Sequence, residues 1–322
     1  MVVNGGIMRN FESEQAIGNV AVGEGGAACI EADESDGTCI NYRPTHGLIT
    51  GFARDHKELS ELQDIYSTFA ANTSDRLILS VQAAASLFGL PGPRRITFGL
   101  QDGDLHARQV RFSGREVRFS VGASRFRLRQ IGPFSVFNAL AAVAVLRELD
   151  VSDARIEAGL QTFTGIARHM ELIGRVRGVR VFDDFAHNPS KIEAAIEAVR
   201  RAGARRVLAI FQPHGFAPAR FMHRELAETF ARALGGDDRA FLLPIYYAGG
   251  NAVEDISSEQ LAEEARGQGA PVEALPDREA LAGRLAELAR EEDAILVMGA
   301  RDDSLTDLCR DVATGLDYSR SA

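Results

Sequence analysis

From Val179 to the C-terminus the chain alternates short β-prone runs with amphipathic stretches. "VRVF", "RVLAIF", "AFLLPIYY", "PVEAL" and "AILVMG" have the length and apolar character of buried strands. Between them, "RFMHRELAETFARAL", "SEQLAEEARG" and "REALAGRLAELAR" repeat apolar residues at helical spacing. Such alternation predicts a largely parallel sheet covered by helices, a Rossmann-like domain. One junction is legible in detail. Val179 to Phe182 reads as a strand, while Ile192, Ile196 and Val199 form one face of a helix. Asp183 to Ser190 is then the turn between them, with Asn188 as N-cap and Pro189 as the first helical residue. A turn leaving the carboxyl end of a parallel strand is where free amides and a helix dipole gather anionic ligands. This turn carries Asp183, Asp184 and His187. The alternative is that the two aspartates merely cap and solvate a loop.

The first half reads differently. "AACIEAD" and "GLITGFA" read as buried strands, "KELSELQDIYSTFAAN" as an amphipathic helix and "RLILSVQ" as a further strand. "RRITFGL", "HARQVRFSG" and "EVRFSVGASRFRLRQIG" suggest an antiparallel patch with glycine turns. The helices "SVFNALAAVAVLRELD" and "SDARIEAGLQTF" follow, and a hinge is expected at Thr164 and Gly165. There are no internal repeats and no low-complexity segments.

Composition narrows the class. A chain of 322 residues with 45% hydrophobic content is long enough for two domains with their own cores. Its formal charge of -9 gives no broad footprint for a phosphate backbone, so nucleic acid is not an expected partner. The arginine-rich "GRVRGVR" and "RRAGARR" read as solvated faces. No run approaches the roughly 20 apolar residues of a membrane span, and the N-terminus lacks a basic segment followed by an apolar one. A cytoplasmic location without a membrane partner is therefore expected. Cys29, Cys39 and Cys309 lack metal-site spacing and read as reduced, structural thiols. The only lysines are Lys57 and Lys191, and neither follows a glycine.

Two further segments could carry chemistry. "IEADESDGT" crowds Glu31, Asp33, Glu34 and Asp36 at the end of an expected strand. Such carboxylates must be hydrated, paired with a cation or partly protonated, and hard oxygen ligands suit magnesium. A solvated acidic loop is the alternative. "GFARDHKEL" places Asp55 and His56 after another expected strand, where a histidine is either a structural hydrogen-bonder or a ligand.

In order along the chain, "VVNGGIMRN", "EADESDGT", the Asp-His pair, "NALAA", "DDFAHNP", "FQPH", "IYYAGG" and "VMGA" resemble the motif series of the Mur ligases. The resemblance implies an enzyme that uses ATP and magnesium to activate a carboxylate as an acyl phosphate, which an amino acid's nitrogen then attacks. It implies an α/β chain in which residues 1–166 form a central ATPase-type domain and residues 167–322 a C-terminal Rossmann-like domain. The substrates implied are a UDP-muramyl-type acid and an amino acid or peptide, in peptidoglycan precursor metabolism. Glu31 and His56 match magnesium-binding positions, and Asn138, Arg168 and Asp184 match nucleotide-contacting ones. Asp184 and His187 match the turn that closes over nucleotide and incoming substrate and so, with Glu31 and His56, the catalytic set. His187, His214 and Arg220 are the implied substrate contacts.

The sequence departs from the family in four places. It starts where a Mur ligase has completed its UDP-binding domain and phosphate loop, and it contains no Gly-Lys dipeptide with which to build such a loop. Phe134 and Ser135 stand where the adenine-side motif has His-Asn, leaving Asn138. Gly215 and Pro218 follow "FQPH" where the family has carboxylate-holding arginines, so Arg220 is the nearest cation expected there. Arg301 and Asp303 stand where glycine and isoleucine are usual. Two readings follow. The chain is an acid:amino acid ligase, truncated or completed by a partner that carries the phosphate loop, or it is a catalytically degraded Mur-like protein with a binding or regulatory role.

Overall fold

The computed structural model describes residues 1–52, 58–87, 89–247, 249 and 253–318. His56 and Asp55 lie outside the described residues. The chain divides into two compact units, Met1–Thr164 and Gly165–Ala322. All three cysteines are free, Cys39 and Cys309 buried and Cys29 exposed.

The first unit opens with a small sheet of β1 (Val2–Val3), β2 (Val20–Ala21) and β3 (Cys29–Ile30). A parallel sheet follows in the order β4 (His46–Ile49), β5 (Arg76–Ser80), β6 (Arg94–Gly99) and β7 (Leu105–His106). Between these strands run α1 (Leu59–Asn72) and α2 (Val81–Ser86). The antiparallel strands β8 (Arg108–Ser113), β9 (Glu116–Val121) and β10 (Ser124–Leu128) come next, then α3 (Pro133–Glu148) and α4 (Asp153–Thr162). The two-residue side-chain period places the core on both faces of the parallel sheet. On β5, Leu77 and Leu79 pack with Phe69 and Ala70 of α1, whereas Ile78 packs with Val136 and Leu140 of α3.

Three expectations for this half are corrected. "RRITFGL" joins the parallel sheet rather than the antiparallel patch, because α2 carries the chain across from β5 to β6 and a helical crossover returns it in the same direction. The expected strand "RLILSVQ" ends at Ser80, whose hydroxyl accepts the Ala83 amide at 3.0 Å and caps α2. "AACIEAD" contributes only Cys29–Ile30, both exposed, not a buried strand.

The second unit is one sheet in the order β11 (Glu171–Val176), β12 (Val179–Asp184), β16 (Asp293–Gly299), β13 (Arg206–Gln212), β14 (Arg239–Leu242) and β15 (Val272–Ala274). Among the described residues only β11 is antiparallel to its neighbour, and it absorbs the "GRV" of "GRVRGVR", expected as a solvated face. The helices are α5 (Pro189–Arg201), α6 (Phe216–Ala233), α7 (Ser258–Gly267), α8 (Arg278–Leu288) and α9 (Leu305–Tyr318). Asn188 caps α5 by accepting the Lys191 amide at 3.0 Å, with Pro189 in the first turn. Ile192, Ile196 and Val199 are fully buried, each worth about 1.5–3 kcal/mol of transfer free energy. No helix among the described residues is long and apolar enough to cross a membrane.

Candidate functional site

The strands β12 and β16 are parallel neighbours, yet the helices that leave them cover different faces. α9, after β16, packs Leu305, Leu308 and Cys309 into the core formed with Val179 and Val181 of β12. Phe182, one residue on, points to the opposite face, the side covered by α5. Helices diverging from adjacent strands open a crevice at the strands' carboxyl ends, the usual ligand position in such sheets. There lie Asp183 and Asp184 from β12, Gln212 and His214 from the end of β13, and Gly299 from β16.

Asp183 is fully buried. Its Oδ2 accepts from the Thr306 hydroxyl at 2.6 Å, and its Oδ1 lies 3.4 Å from Arg168 Nε. Burial raises its carboxyl above the ordinary range, against the opposing pull of Thr306 and Arg168. Asp184 turns the other way. Its two oxygens accept backbone N–H groups of Met170 at 2.7 Å and Ala186 at 2.8 Å. Although part of its surface meets solvent, it is packed deeply enough that burial outweighs both bonds and pushes the carboxyl up to about 7.

Arg168 is held from several sides. Its Nη2 donates to the Gly299 carbonyl at 2.7 Å, its guanidinium lies 5.2 Å from the Phe185 ring centroid, and its carbonyl accepts the Phe185 amide at 2.6 Å. Among the described residues its buried Nη1 has no hydrogen-bond partner, and the exposed Asp303 carboxylate is 3.9 Å away. Arg168 and Met170 both have left-handed backbones, with φ of 58° and 49°. A non-glycine residue there costs about 1–2 kcal/mol, so the surrounding bonds hold strained backbone in place. A chain of rings leads outward. Phe185 meets His187 edge-on with centroids 5.6 Å apart, and His187 meets His214 at 5.4 Å. His187 Nδ1 lies 2.9 Å from the Phe185 carbonyl, which fixes the ring.

A second orphaned atom completes the crevice. Gln212 is buried and among the described residues its Oε1 has no partner, while its Nε2 reaches the Pro244 carbonyl at 3.4 Å. A buried unpaired donor on Arg168 and a buried unpaired acceptor on Gln212 fit a polar ligand with both anionic and donor groups, as a nucleotide or amino acid has.

The structure thus brings together Arg168, Asp184, His187 and His214. Arg220 stands apart, in α6 rather than before it, paired with Asp255 and donating to the Val253 carbonyl at 3.1 Å. In the first unit Asn138 is exposed on α3. Glu31 is exposed after β3, its Oε2 accepting the Gly5 amide at 2.6 Å. The acidic density around Glu31 has a partly local cause, since Asp33 and Asp36 each accept an amide two residues on, from Ser35 and Thr38 at 2.8 Å. Among the described residues no three His, Cys, Asp or Glu side chains gather to hold a metal ion.

Thr306, Gln212 and Gly299 escape the sequence reading. Gly299 was the most discoverable, at the end of "AILVMG". A Cβ there would meet Leu305 Cδ1 at 2.7 Å and the Gln212 carbonyl at 3.0 Å, so only glycine lets β16 approach β13 so closely.

Comparison with known proteins bears on the fold and the family. Residues 168–301 match the family model described as Mur ligase, glutamate ligase domain. Over 317 residues the chain is 34% identical to UDP-N-acetylmuramate–L-alanine ligase of Salinibacter ruber, a match covering 94% of this chain and 65% of that enzyme. The chain therefore spans less than two thirds of that curated relative's length. The solved UDP-N-acetylmuramate-alanine ligase of Thermotoga maritima superposes with a TM-score of 0.76 over 99% of this chain and 69% of that one, at 21% identity. The MurF ligase of Thermotoga maritima, solved in complex with ADP, gives a TM-score of 0.69 over 100% of this chain and 74% of that one, at 15% identity. Both share the fold.

Proposed function

We propose that this chain, which matches a Mur ligase domain over residues 168–301 and an L-alanine-adding ligase over 94% of its own length, is a member of that family and provides the central and C-terminal parts of an ADP-forming acid:amino acid ligase of peptidoglycan precursor synthesis. Its acid is a UDP-N-acetylmuramate-type carboxylate and its amine an amino acid, with L-alanine first in line. The observation that carries this reading is the identity of 34% to an L-alanine-adding ligase, sustained over 94% of the chain.

The chemistry is the passage of the ATP γ-phosphoryl group to the acid's carboxylate, attack by the amine on the acyl carbon, and departure of phosphate. In this reading Arg168 directs its unpaired Nη1 toward the nucleotide, with Asn138 and Asp184 as further nucleotide contacts. His187 and His214 receive the reacting acid and amine, and Arg220 joins them only by leaving Asp255. Asp184, raised to about 7, is half-protonated near neutral pH, a state suited to taking up the proton an attacking amine must lose. Glu31, whose Oε1 is left over by the Gly5 amide, and His56 would hold magnesium. When bound, that ion neutralises phosphate charge.

The missing Gly-Lys dipeptide sets the main constraint. Charge-assisted hydrogen bonds contribute roughly 1.5–3 kcal/mol each, so losing three at the low end weakens ATP binding by about a thousandfold. A phosphate loop supplied by an N-terminal segment beyond these residues, or by a partner, is therefore part of the proposal. The test is substrate-dependent ADP release. The 322-residue chain alone is expected to give none, and a longer chain bearing a Gly-Lys-Thr loop is expected to turn over. The degraded-protein reading is favoured by one observation, the capture of Arg220 by Asp255. It prevails if the loop-bearing protein binds MgATP yet releases no ADP with any UDP-muramyl acid and amino acid.

A further inference from the structure

The strands β8 to β10 carry a concentration of charge that the ligase reading does not use. Between residues 105 and 131 the sequence has seven arginines and one carboxylate, Glu116, within a chain whose net charge is -9. The register explains how they meet. Arg111 of β8 lies directly opposite Arg118 of β9, which lies directly opposite Arg127 of β10. Like charges facing one another across strands are destabilising, and among the described residues Glu116 is the one carboxylate paired with them, 2.6 Å from Arg118 and 3.8 Å from Arg127. The side chains of Arg111, Arg115, Arg125 and Arg129 make no hydrogen bond or ion pair among the described residues.

At the Glu116 end of this face lies a concavity of about 750 Å³, lined by Arg115, Arg129, Glu116 and Gln161. Arg129 follows directly on Leu128, the partner of Val117, and so stands level with Glu116 and beside Arg115. We propose that this concavity is a binding site for a small anion carrying two or more phosphate groups. Its size falls within the roughly 300–1,000 Å³ of small-molecule sites, and guanidinium forks match phosphate oxygens two at a time. One exposed ion pair contributes little on its own. Useful affinity therefore requires a ligand that bridges several arginines, which selects an oligophosphate over a single phosphate. The sheet's Phe119 and Phe126 are buried in the core, and Phe112 of β8 and Phe163, which lines the concavity, pack against that same core, so the arginine face is not the row of exposed rings on which single-stranded nucleic acid stacks. None of Glu31, Asn138, Arg168, Asp184, His187 or His214 lines the concavity, and the site stands without the ligase reading.

Calorimetry of the 322-residue chain with magnesium-free sodium tripolyphosphate tests this. One binding site is expected, weakened by salt and at least about tenfold in the Arg115→Ala/Arg129→Ala double variant, but less than about threefold in Arg111→Ala. Inorganic phosphate alone should bind far more weakly. Glu116→Gln removes the only opposing carboxylate and should tighten binding, a gain that a misfolded variant does not produce. Absence of binding, equal losses in Arg111→Ala and the double variant, no tightening in Glu116→Gln, or preference for a single-stranded oligonucleotide over tripolyphosphate would each overturn the proposal.

Discussion

Replacing Asp184 by asparagine should remove a specific slope from the pH dependence of stability. The native carboxyl is raised to about 7 from an ordinary value of 3.8, burial being the first cause and the nearby Asp183 charge a smaller one. Below the ordinary value both native and unfolded chains hold the proton. Between the two values the unfolded chain releases it while the native chain keeps it, so stability falls as pH rises, by about 1.4 kcal/mol per pH unit. Above about 7 both states are ionised and the slope disappears. The total loss from neutral Asp184 across this window is about 4 kcal/mol. Asparagine keeps one acceptor but sets an amide against one of the backbone N–H groups of Met170 and Ala186, a penalty of about 1 kcal/mol that does not change with pH. Urea unfolding at several pH values from 4 to 8 should therefore show the two proteins' stabilities converging and then crossing as pH rises. Asp183 is also raised by burial, and because it is present in both proteins the difference between them isolates Asp184. The lowered carboxylates Asp104, Asp153 and Glu193 lose their contributions only below the ordinary range. Parallel stability curves between pH 5 and 7 would refute the argument.

Three further outcomes follow from the same crevice. Asp183→Ala leaves the buried Arg168 guanidinium without its carboxylate and should cost about 3–5 kcal/mol, read as a lowered melting temperature; Asp183→Asn should recover part of it through Thr306. Asn188→Ala deletes the cap of α5 and should cost about 1 kcal/mol in denaturant unfolding, with Asn188→Ser restoring most of it. Gly299→Ala forces a Cβ against Leu305 and the Gln212 carbonyl and should cost about 1–3 kcal/mol, again by melting temperature; an unchanged value would mean that β13 and β16 separate more freely than their register indicates.

The second unit was the more legible in sequence because its signals are local. A parallel strand buried on both faces reads as a short apolar run, and the helix after it carries its own period and cap, so β12, β13, β14, β15 and β16 were all visible as runs. The edge strand β11 was not, because "GRVRGVR" alternates arginine with small or β-branched residues and an edge strand needs only one face covered. In the first unit, "RRITFGL" shows the limit of periodicity. Alternation declares a strand but not its direction, which α2 decides here, and α2 is a single six-residue turn-and-a-half hidden at the end of an apolar run.

The site divides along the same line. Asp183, Asp184 and His187 were readable because one turn brings them together within a few residues, and no tertiary contact is needed to place them at a strand end. What packs that loop against the rest of the proposed site is non-local. Thr306 reaches Asp183 across 123 residues of chain, and Arg168 Nη2 reaches Gly299 across 131. No spacing rule joins such residues, because parallel strands that are neighbours in the sheet are separated in sequence by the intervening helices and strands. The burial that raises both aspartates is likewise a property of the assembled sheet. Two adjacent carboxylates in an open loop would stay ionised at neutral pH and repel a triphosphate; here Asp183 is buried against Thr306 of α9, while Asp184, facing the other way, is half-neutral near pH 7, and the pair presents less negative charge beside Arg168. That difference, which the folded chain creates, is what would let an acidic turn serve an anionic ligand, as the proposed function requires.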